Sequence, residues 1–421
     1  LVGSEMCIRD RYTMTKNVLQ FMAVVITAMA AAMPVSADNW ITPLPDNTYV
    51  SDLSIPGTHD SATGEGFSGA LGTLLGPGTA QTQDLTISQQ WDCGIRAFDL
   101  RPKVENGTEG TYLHIYHGII KTAISFDDAL LTLRDKLKEN PGEFAIVIMR
   151  HESDSRTGIQ TQWQALMDKS LTADALDGYI AGFRKGLTVG DIRGKILVMS
   201  RDTYDNGPHG AYITGWSHSD LYQDQTKAVI TGADGSEERA LVQDFYECTG
   251  DDGIDRKIDA MLHMLDIRMA AKSTRWCVNH ASGYTKGSSS DGYRDNAAHT
   301  SKALLDVLNS PDTEQGATGI IMMDYAGTDK SGEYDVRGLE LTKAIIAQNS
   351  RYTPLTTAIS DNTQAHKGVS VSRNTISSDS PMAVYRTDGT MVTCGVTEAE
   401  MPSDGIFIVR SAGENVKVLV E

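Results

Sequence analysis

Two histidines stand where this chain can move protons. His59 lies in Ser54-Ile55-Pro56-Gly57-Thr58-His59-Asp60-Ser61, and His117 in Leu113-His114-Ile115-Tyr116-His117-Gly118. Between them, Phe98-Asp99-Leu100-Arg101-Pro102 sets a carboxylate and a guanidinium two residues apart. Each histidine closes a short apolar run, the place where a strand delivers a side chain into a cleft. Two imidazoles with different partners can serve as general base and general acid in one reaction. A guanidinium beside them can neutralise a phosphate through two parallel hydrogen bonds. These parts suit in-line displacement at a phosphodiester.

The elements that must position them are short β-branched runs alternating with helical patterns. Strands are expected at residues 52–58, 95–100, 112–116, 144–149, 195–200, 241–246, 276–280 and 319–324. The clearest helix follows the third strand. Ser125 caps it, Asp128 sits at the capping-box position, and Phe126, Leu130, Leu133 and Leu137 recur every three or four residues until Asn140-Pro141-Gly142. Similar patterns occupy 254–271, 297–308 and 337–348. Eight strands with helices between them predict an α/β fold, a parallel barrel of the TIM type.

Polar residues fall at the strand ends. His59 and Asp60 follow the first strand, Asp99 and Arg101 end the second, and His117 ends the third. Arg150 ends the fourth, Arg201 the fifth, Asp244 and Tyr246 the sixth, and Asp324 the eighth. The carboxyl ends of parallel barrel strands form one face, where active sites lie, so these residues are expected to converge on one cleft. The glycine-rich stretch 64–82, with Phe67, Leu71, Leu74 and Leu75, reads either as a rim loop touching a membrane or as a short helix covering the barrel.

The chain's 421 residues allow one barrel of about 250–300 residues and an accessory module. Residues 1–13 precede a good initiator at Met14 and read as a non-native leader, translated adapter sequence. Residues 14–37 read as a signal peptide. Lys16 is followed by about sixteen apolar residues, short of the ~20 of a membrane-spanning helix, and then by the small-residue site Val35-Ser36-Ala37. The expected location is therefore secreted or at the cell surface. The formal charge of −18, with no run of five basic residues, argues against a nucleic-acid partner and against electrostatic capture on anionic membranes. Cys93, Cys248, Cys277 and Cys394 show no metal-binding spacing. The barrel is assigned to 38–352. Residues 355–421 shift to Ser, Thr, Asn and Val and read as a small β module, with strands at 382–386, 391–394, 406–409 and 417–420 and a turn signal at Asp388-Gly389.

Pro56-Gly57-Thr58-His59-Asp60-Ser61, Phe98-Asp99-Leu100-Arg101, His117-Gly118 and Val242-Gln243-Asp244-Phe245-Tyr246-Glu247, in this order, resemble the bacterial phosphatidylinositol-specific phospholipases C (the X-domain family) over roughly residues 40–350. The resemblance implies a distorted barrel that cleaves phosphatidylinositol, or its glycosylated anchors, at a membrane surface into diacylglycerol and a cyclic inositol phosphate. It makes His59 the general base and His117 the general acid, with Asp324 holding His59 and Asp99 holding His117. Asp60 would orient Arg101; Asp244 and Tyr246 would hold the inositol, Arg201 its hydroxyls. Arg150 stands where the family often has a lysine. Calcium-dependent relatives carry acidic ligands in the strand that bears Arg101, so the expectation here is no metal and no other cofactor. Membrane contact is expected to be peripheral and the enzyme a monomer. The tail's ending, Gly405-Ile406-Phe407-Ile408-Val409-Arg410 and Val416-Lys417-Val418-Leu419-Val420, is similar to the sorting domains of Bacteroidetes type IX secretion. Two other readings remain. One is a metal-dependent glycerophosphodiesterase, for which Glu-x-Asp would replace Asp99-Leu100-Arg101. The other is a non-catalytic surface protein binding inositol or glycans.

Overall fold

The computed structural model describes residues 39–108, 110–152, 161–216, 228–270, 276–287, 289–310 and 316–352, and in the tail 369–372, 375–386, 390–402, 405–411 and 414–420. The leader at 1–13, the signal peptide at 14–37 and the turn at Asp388-Gly389 lie outside the described residues.

Parallel strands with both faces covered are continuous apolar runs, and this chain has several. The strands up to the barrel's midpoint are β1 (Ser54–Thr58), β2 (Ala97–Leu100), β3 (Pro102–Gly107), β4 (Gly110–His117), β5 (Ile120–Ser125), β6 (Ala145–Met149), β7 (Ile180–Ala181) and β8 (Ile196–Ser200). There follow β9 (Ala211–Thr214), β10 (Ala228–Gly232), β11 (Glu237–Gln243), β12 (Trp276–His280) and β13 (Gly319–Met323). Strand neighbours run β6-β2-β1-β13-β12-β11-β10-β9-β8, and β8 returns to β6, so the sheet closes as a nine-stranded barrel with the short β7 beside β8. Within it, β10 alone runs antiparallel to its neighbours. This is a distorted TIM-type barrel.

Alternate residues of each strand enter different cores. Ile321 and Met323 of β13 join the layer under the helices, while Ile320 and Met322 join the second cluster with Trp40, Ile41 and Leu44 of the incoming chain. The incoming segment is held by Glu143, which accepts from Thr42 N at 2.6 Å and pairs with the buried Arg96 at 3.0 Å. Gly57 is needed at the centre of β1, because a Cβ there would meet Met322 Sδ at 2.6 Å and Ala97 Cβ at 3.0 Å. That close approach seats the strand that delivers His59.

The helices are α1 (Gly69–Thr79), α2 (Ile87–Asp92), α3 (Phe126–Glu139), α4 (Thr161–Leu171), α5 (Val189–Ile192), α6 (Gly253–Met269), α7 (Ser290–Leu308) and α8 (Gly338–Ala347). Helix α3 starts as expected, with Ser125 Oγ accepting from Asp128 N at 3.1 Å and Phe126, Leu130, Leu133 and Leu137 buried. Helix α7 begins seven residues before the apolar pattern at 297, because Ser289 caps Gly292 N at 3.1 Å. The glycine-rich stretch folds as a 3-10 turn, Ser61–Glu65, and α1. No helix among the described residues is long and apolar enough to cross a membrane.

Two strand expectations need correction. The run at 112–116 lies in β4, which belongs to a separate antiparallel meander, β3-β4-β5, and not to the barrel. The reason is connection length: a parallel crossover takes a dozen or more residues, whereas β2 passes through Arg101 straight into β3. The run at 241–246 ends as a strand at Gln243, whose side-chain Oε1 accepts from Phe245 N at 2.7 Å and turns the chain outward.

The tail is a second compact unit, divided from the first between Thr353 and Pro354. Its strands β14 (Val369–Ser372), β15 (Thr375–Arg386), β16 (Met391–Glu400), β17 (Gly405–Ser411) and β18 (Glu414–Val420) form one antiparallel sheet around Ile376, Met382, Val384, Met401, Phe407 and Val409.

Candidate active site

His59 leaves β1 with its amide still in the ladder, donating to Met323 O at 3.0 Å. The next residue, Asp60, takes a left-handed conformation (φ 44°) that an aspartate tolerates, and this turns its carboxylate back under the imidazole. His59 Nδ1 lies 2.8 Å from Asp324 Oδ1, and Gly283 N donates to the other carboxylate oxygen at 3.2 Å. Since the carboxylate accepts, Nδ1 carries the hydrogen and Nε2 faces Asp60. Burial alone would lower the His59 pKa, but Asp60 and Asp324 outweigh it and raise it to about 9.

Asp99 and Arg101 sit at the end of β2. Asp99 Oδ2 accepts from Arg101 Nη2 at 2.7 Å and Nε at 3.1 Å, and from the Asp60 amide at 3.2 Å. Burial opposes the charge on Asp99, yet Arg101 and His59 hold its carboxyl well below the usual range. The remaining arm of the guanidinium reaches Asp60, with Nη1 3.0 Å from Oδ2.

His117 arrives from β4 at a two-residue hairpin whose first position, Gly118, has φ 61°. Its Nε2 lies 3.6 Å from Asp60 Oδ2, and His59 Nε2 lies 3.2 Å from the same oxygen. Three nitrogens from three elements therefore point at one buried carboxylate oxygen, which completes a hydrogen bond with none of them. Asp99 does not hold His117, contrary to the expectation from the sequence: its carboxylate is committed to Arg101 and the Asp60 amide. His117 Nδ1 instead donates to the carbonyl of Ala80 at 2.7 Å.

The residues expected to bind a headgroup form a second group. Arg201, at the end of β8, stacks on Trp216 (4.3 Å to the ring centroid), and Trp216 Nε1 donates to Asp244 Oδ2 at 2.8 Å. Burial depresses the Arg201 pKa to about 10, with Asp244 opposing the shift and Arg150 and Arg101 adding to it. Arg150 pairs with Glu152 (3.1 Å), whose other oxygen accepts from Gly118 N at 2.7 Å. Tyr246 is 41% exposed and stands further out. A ring series joins it to the centre: Tyr246 to Tyr284 at 6.1 Å, Tyr284 to Tyr293 at 6.0 Å and Tyr293 to His117 at 5.8 Å.

Four side chains near the centre lay outside the sequence expectation: Glu152, Trp216, Tyr293 and His280. The His280 ring lies 6.0 Å from His59 and 5.8 Å from Trp216. Its Nδ1 is 2.9 Å from Ser282 Oγ, and burial lowers its pKa to about 3. It ends β12, so the strand-end rule applied to the seventh expected strand would have found it.

Donor atoms of His59, Asp60 and Asp99 lie within 4.8 Å of one another, close enough to hold a cation in principle. Arg101 already pairs with both carboxylates of that set, at 3.0 and 2.7 Å, and so fills the cationic position itself.

A distorted TIM-type barrel with two histidines, an arginine and their carboxylates at its carboxyl face defines the class of protein. No protein-family model matches the chain. It is 35% identical over 172 residues to the 1-phosphatidylinositol phosphodiesterase of Listeria monocytogenes, a match covering 40% of this chain and half the length of that relative. A second relative of the same name, from Staphylococcus aureus, is 23% identical over 306 residues, 72% of this chain and 92% of that one. A solved structure of the S. aureus phosphatidylinositol-specific phospholipase C, from work on its membrane binding, shares the fold with a TM-score of 0.58 at 20% identity, over 75% of this chain and 98% of that one. The chain is thus similar in sequence to the 1-phosphatidylinositol phosphodiesterases and in fold to the bacterial phosphatidylinositol-specific phospholipases C.

Proposed function

We propose that the protein is an exported phospholipase C that cleaves phosphatidylinositol, or a glycosylated form of it, to diacylglycerol and inositol 1,2-cyclic phosphate. The observation that carries this reading is the convergence of His59 Nε2, His117 Nε2 and Arg101 Nη1 within 3.0 to 3.6 Å of one oxygen of Asp60. The inositol 2-hydroxyl gives its proton to His59 Nε2 while its oxygen bonds to phosphorus. The bond from phosphorus to the diacylglycerol oxygen breaks, and that oxygen takes the proton from His117 Nε2. Such transfers contribute typically ~10²- to 10⁴-fold each. Arg101, held by Asp99 and Asp60, faces the phosphate and takes the place of a metal ion. Arg201, Asp244 and Arg150 provide the polar wall for the inositol ring, and Tyr246 an exposed aromatic face.

Helix α1 seats the enzyme on lipid: Leu74 is 79% exposed, Leu71 42% and Leu75 40%, and the helix carries no charged residue. Contact is peripheral, and the enzyme works as a monomer. The signal peptide at 14–37 and the β module of the tail serve export and surface sorting.

The test is phosphatidylinositol cleavage by residues 38–421 in excess EDTA, with products followed by phosphorus NMR and His59→Ala as control. Cyclic inositol phosphate that forms despite the chelator and disappears in the variant supports this reading. Activity only with added calcium would overturn the role of Arg101. Absence of turnover in both conditions would favour a non-catalytic inositol-binding protein.

A further inference from the structure

His59 is held at Nδ1 by a carboxylate, whereas Nδ1 of His117 meets a backbone carbonyl and only its Nε2 faces a carboxylate, Asp60 at 3.6 Å. We propose that the backbone carbonyl of Ala80, which caps the C-terminal end of α1, is the positioning group that makes His117 an effective acid toward an alkoxide leaving group. The inference rests on the reaction proposed above. A carbonyl oxygen can only accept, so the 2.7 Å contact fixes the hydrogen on Nδ1 and turns Nε2 toward the reaction centre. The choice of partner suits the task. A carboxylate stabilises an imidazolium and makes it a reluctant donor, whereas a peptide dipole orients the ring and leaves the proton easier to release.

The carbonyl is itself fixed from several sides. Ala80 N closes α1 on Gly76 O at 2.9 Å. Its own peptide is gripped by Ser290 Oγ, which accepts from Gln81 N at 3.2 Å, and the next peptide by Tyr325, whose hydroxyl donates to Gln81 O at 2.5 Å. Thr82 Oγ1 and Gln83 Nε2 then donate to the carbonyl of His59 at 3.2 and 2.9 Å. One short segment, residues 80–83, thus touches His117 through the Ala80 carbonyl and His59 through the side chains of Thr82 and Gln83, with the two ring centroids 6.4 Å apart.

The test converts the Ala80–Gln81 amide to an ester by placing the α-hydroxy analogue of glutamine at position 81, which weakens the Ala80 carbonyl as an acceptor. The change also removes the Gln81 N–H, for which Ser290→Ala is the control. Two substrates are compared: phosphatidylinositol, whose leaving oxygen needs a proton, and the 4-nitrophenyl ester of inositol phosphate, whose leaving group does not. The expected result is a fall of about tenfold in kcat on phosphatidylinositol against less than about twofold on the aryl ester. Equal losses on the two substrates in a folded ester variant, or no loss on either, overturn the proposal. Tyr325→Phe, which loosens the adjoining Gln81–Thr82 peptide without touching either histidine, should shift the ratio in the same direction and decides the matter if the ester variant fails to fold. A wild-type enzyme inactive on both substrates would instead strike at the proposed reaction.

Discussion

Nδ1 of His59 and Oδ1 of Asp324 lie 2.8 Å apart, joining the end of the first barrel strand to the end of the last. With Asp60, this pair lifts the His59 pKa to about 9 against the effect of burial. A base acts in its neutral form, so activity should rise with pH through a value above the ordinary histidine range. Asp324→Asn removes part of the lift. The acid limb of kcat/KM is expected to move to lower pH, while kcat falls by roughly 10²-fold because the imidazolium loses its partner. A pH–rate profile of the two proteins checks both; an unmoved limb would remove Asp324 from this role.

Arg101 differs from a lysine in geometry more than in charge. Its fork spans Asp60 through Nη1 and Asp99 through Nη2 and Nε. Arg101→Lys keeps one positive charge but cannot bridge both carboxylates and still face a phosphate. We expect kcat to fall by about 10²- to 10³-fold, with no recovery on adding calcium. Steady-state rates in EDTA and in calcium test this, and near-normal activity would sink it.

Helix α1 turns Leu74 outward, with Leu71 and Leu75 also exposed beside it. Leu74→Asp with Leu75→Asp should weaken binding to phosphatidylcholine vesicles by roughly tenfold or more, since each leucine brings up to about 1.5–3 kcal/mol on burial. Hydrolysis of a water-soluble inositol phosphate ester should stay within about twofold. Sedimentation with vesicles measures the first and a soluble assay the second; equal loss in both would mean the helix had been damaged.

Residues whose place follows from a strand end were legible in the sequence. His59, Asp60, Asp99, Arg101 and Asp324 each follow an apolar run, and the barrel brings those ends together. His117 was found for a partly wrong reason, since β4 lies outside the barrel and only the tight turn through Arg101 brings the meander to the same face. Its holder could not be read from residue types, because any residue at position 80 offers the same carbonyl. Trp216 and Glu152 lie in loops beyond β9 and β6, where no periodicity marks a direction. Strands β9 and β10 are four and five residues long with half-buried alternate positions, too little pattern to separate from loop.

His280 and His59 set opposite slopes of stability against pH. The folded pKa of His280 is lowered from 6.5 to about 3, chiefly by burial. As pH falls below about 6.5, the unfolded chain gains a proton at this site that the folded protein refuses, so stability drops by up to about 1.4 kcal/mol per pH unit. His59 is raised to about 9, so its contribution is complete below about 6.5 and is lost as pH rises through 9. The thermal midpoint should therefore peak near pH 6.5. His280→Asn, which keeps a polar group for Ser282, should flatten the acid side and leave the alkaline side unchanged. Calorimetric scans from pH 4 to pH 9.5 on the two proteins would show it, and an acid slope retained by His280→Asn would mean that other buried groups set the acid limit.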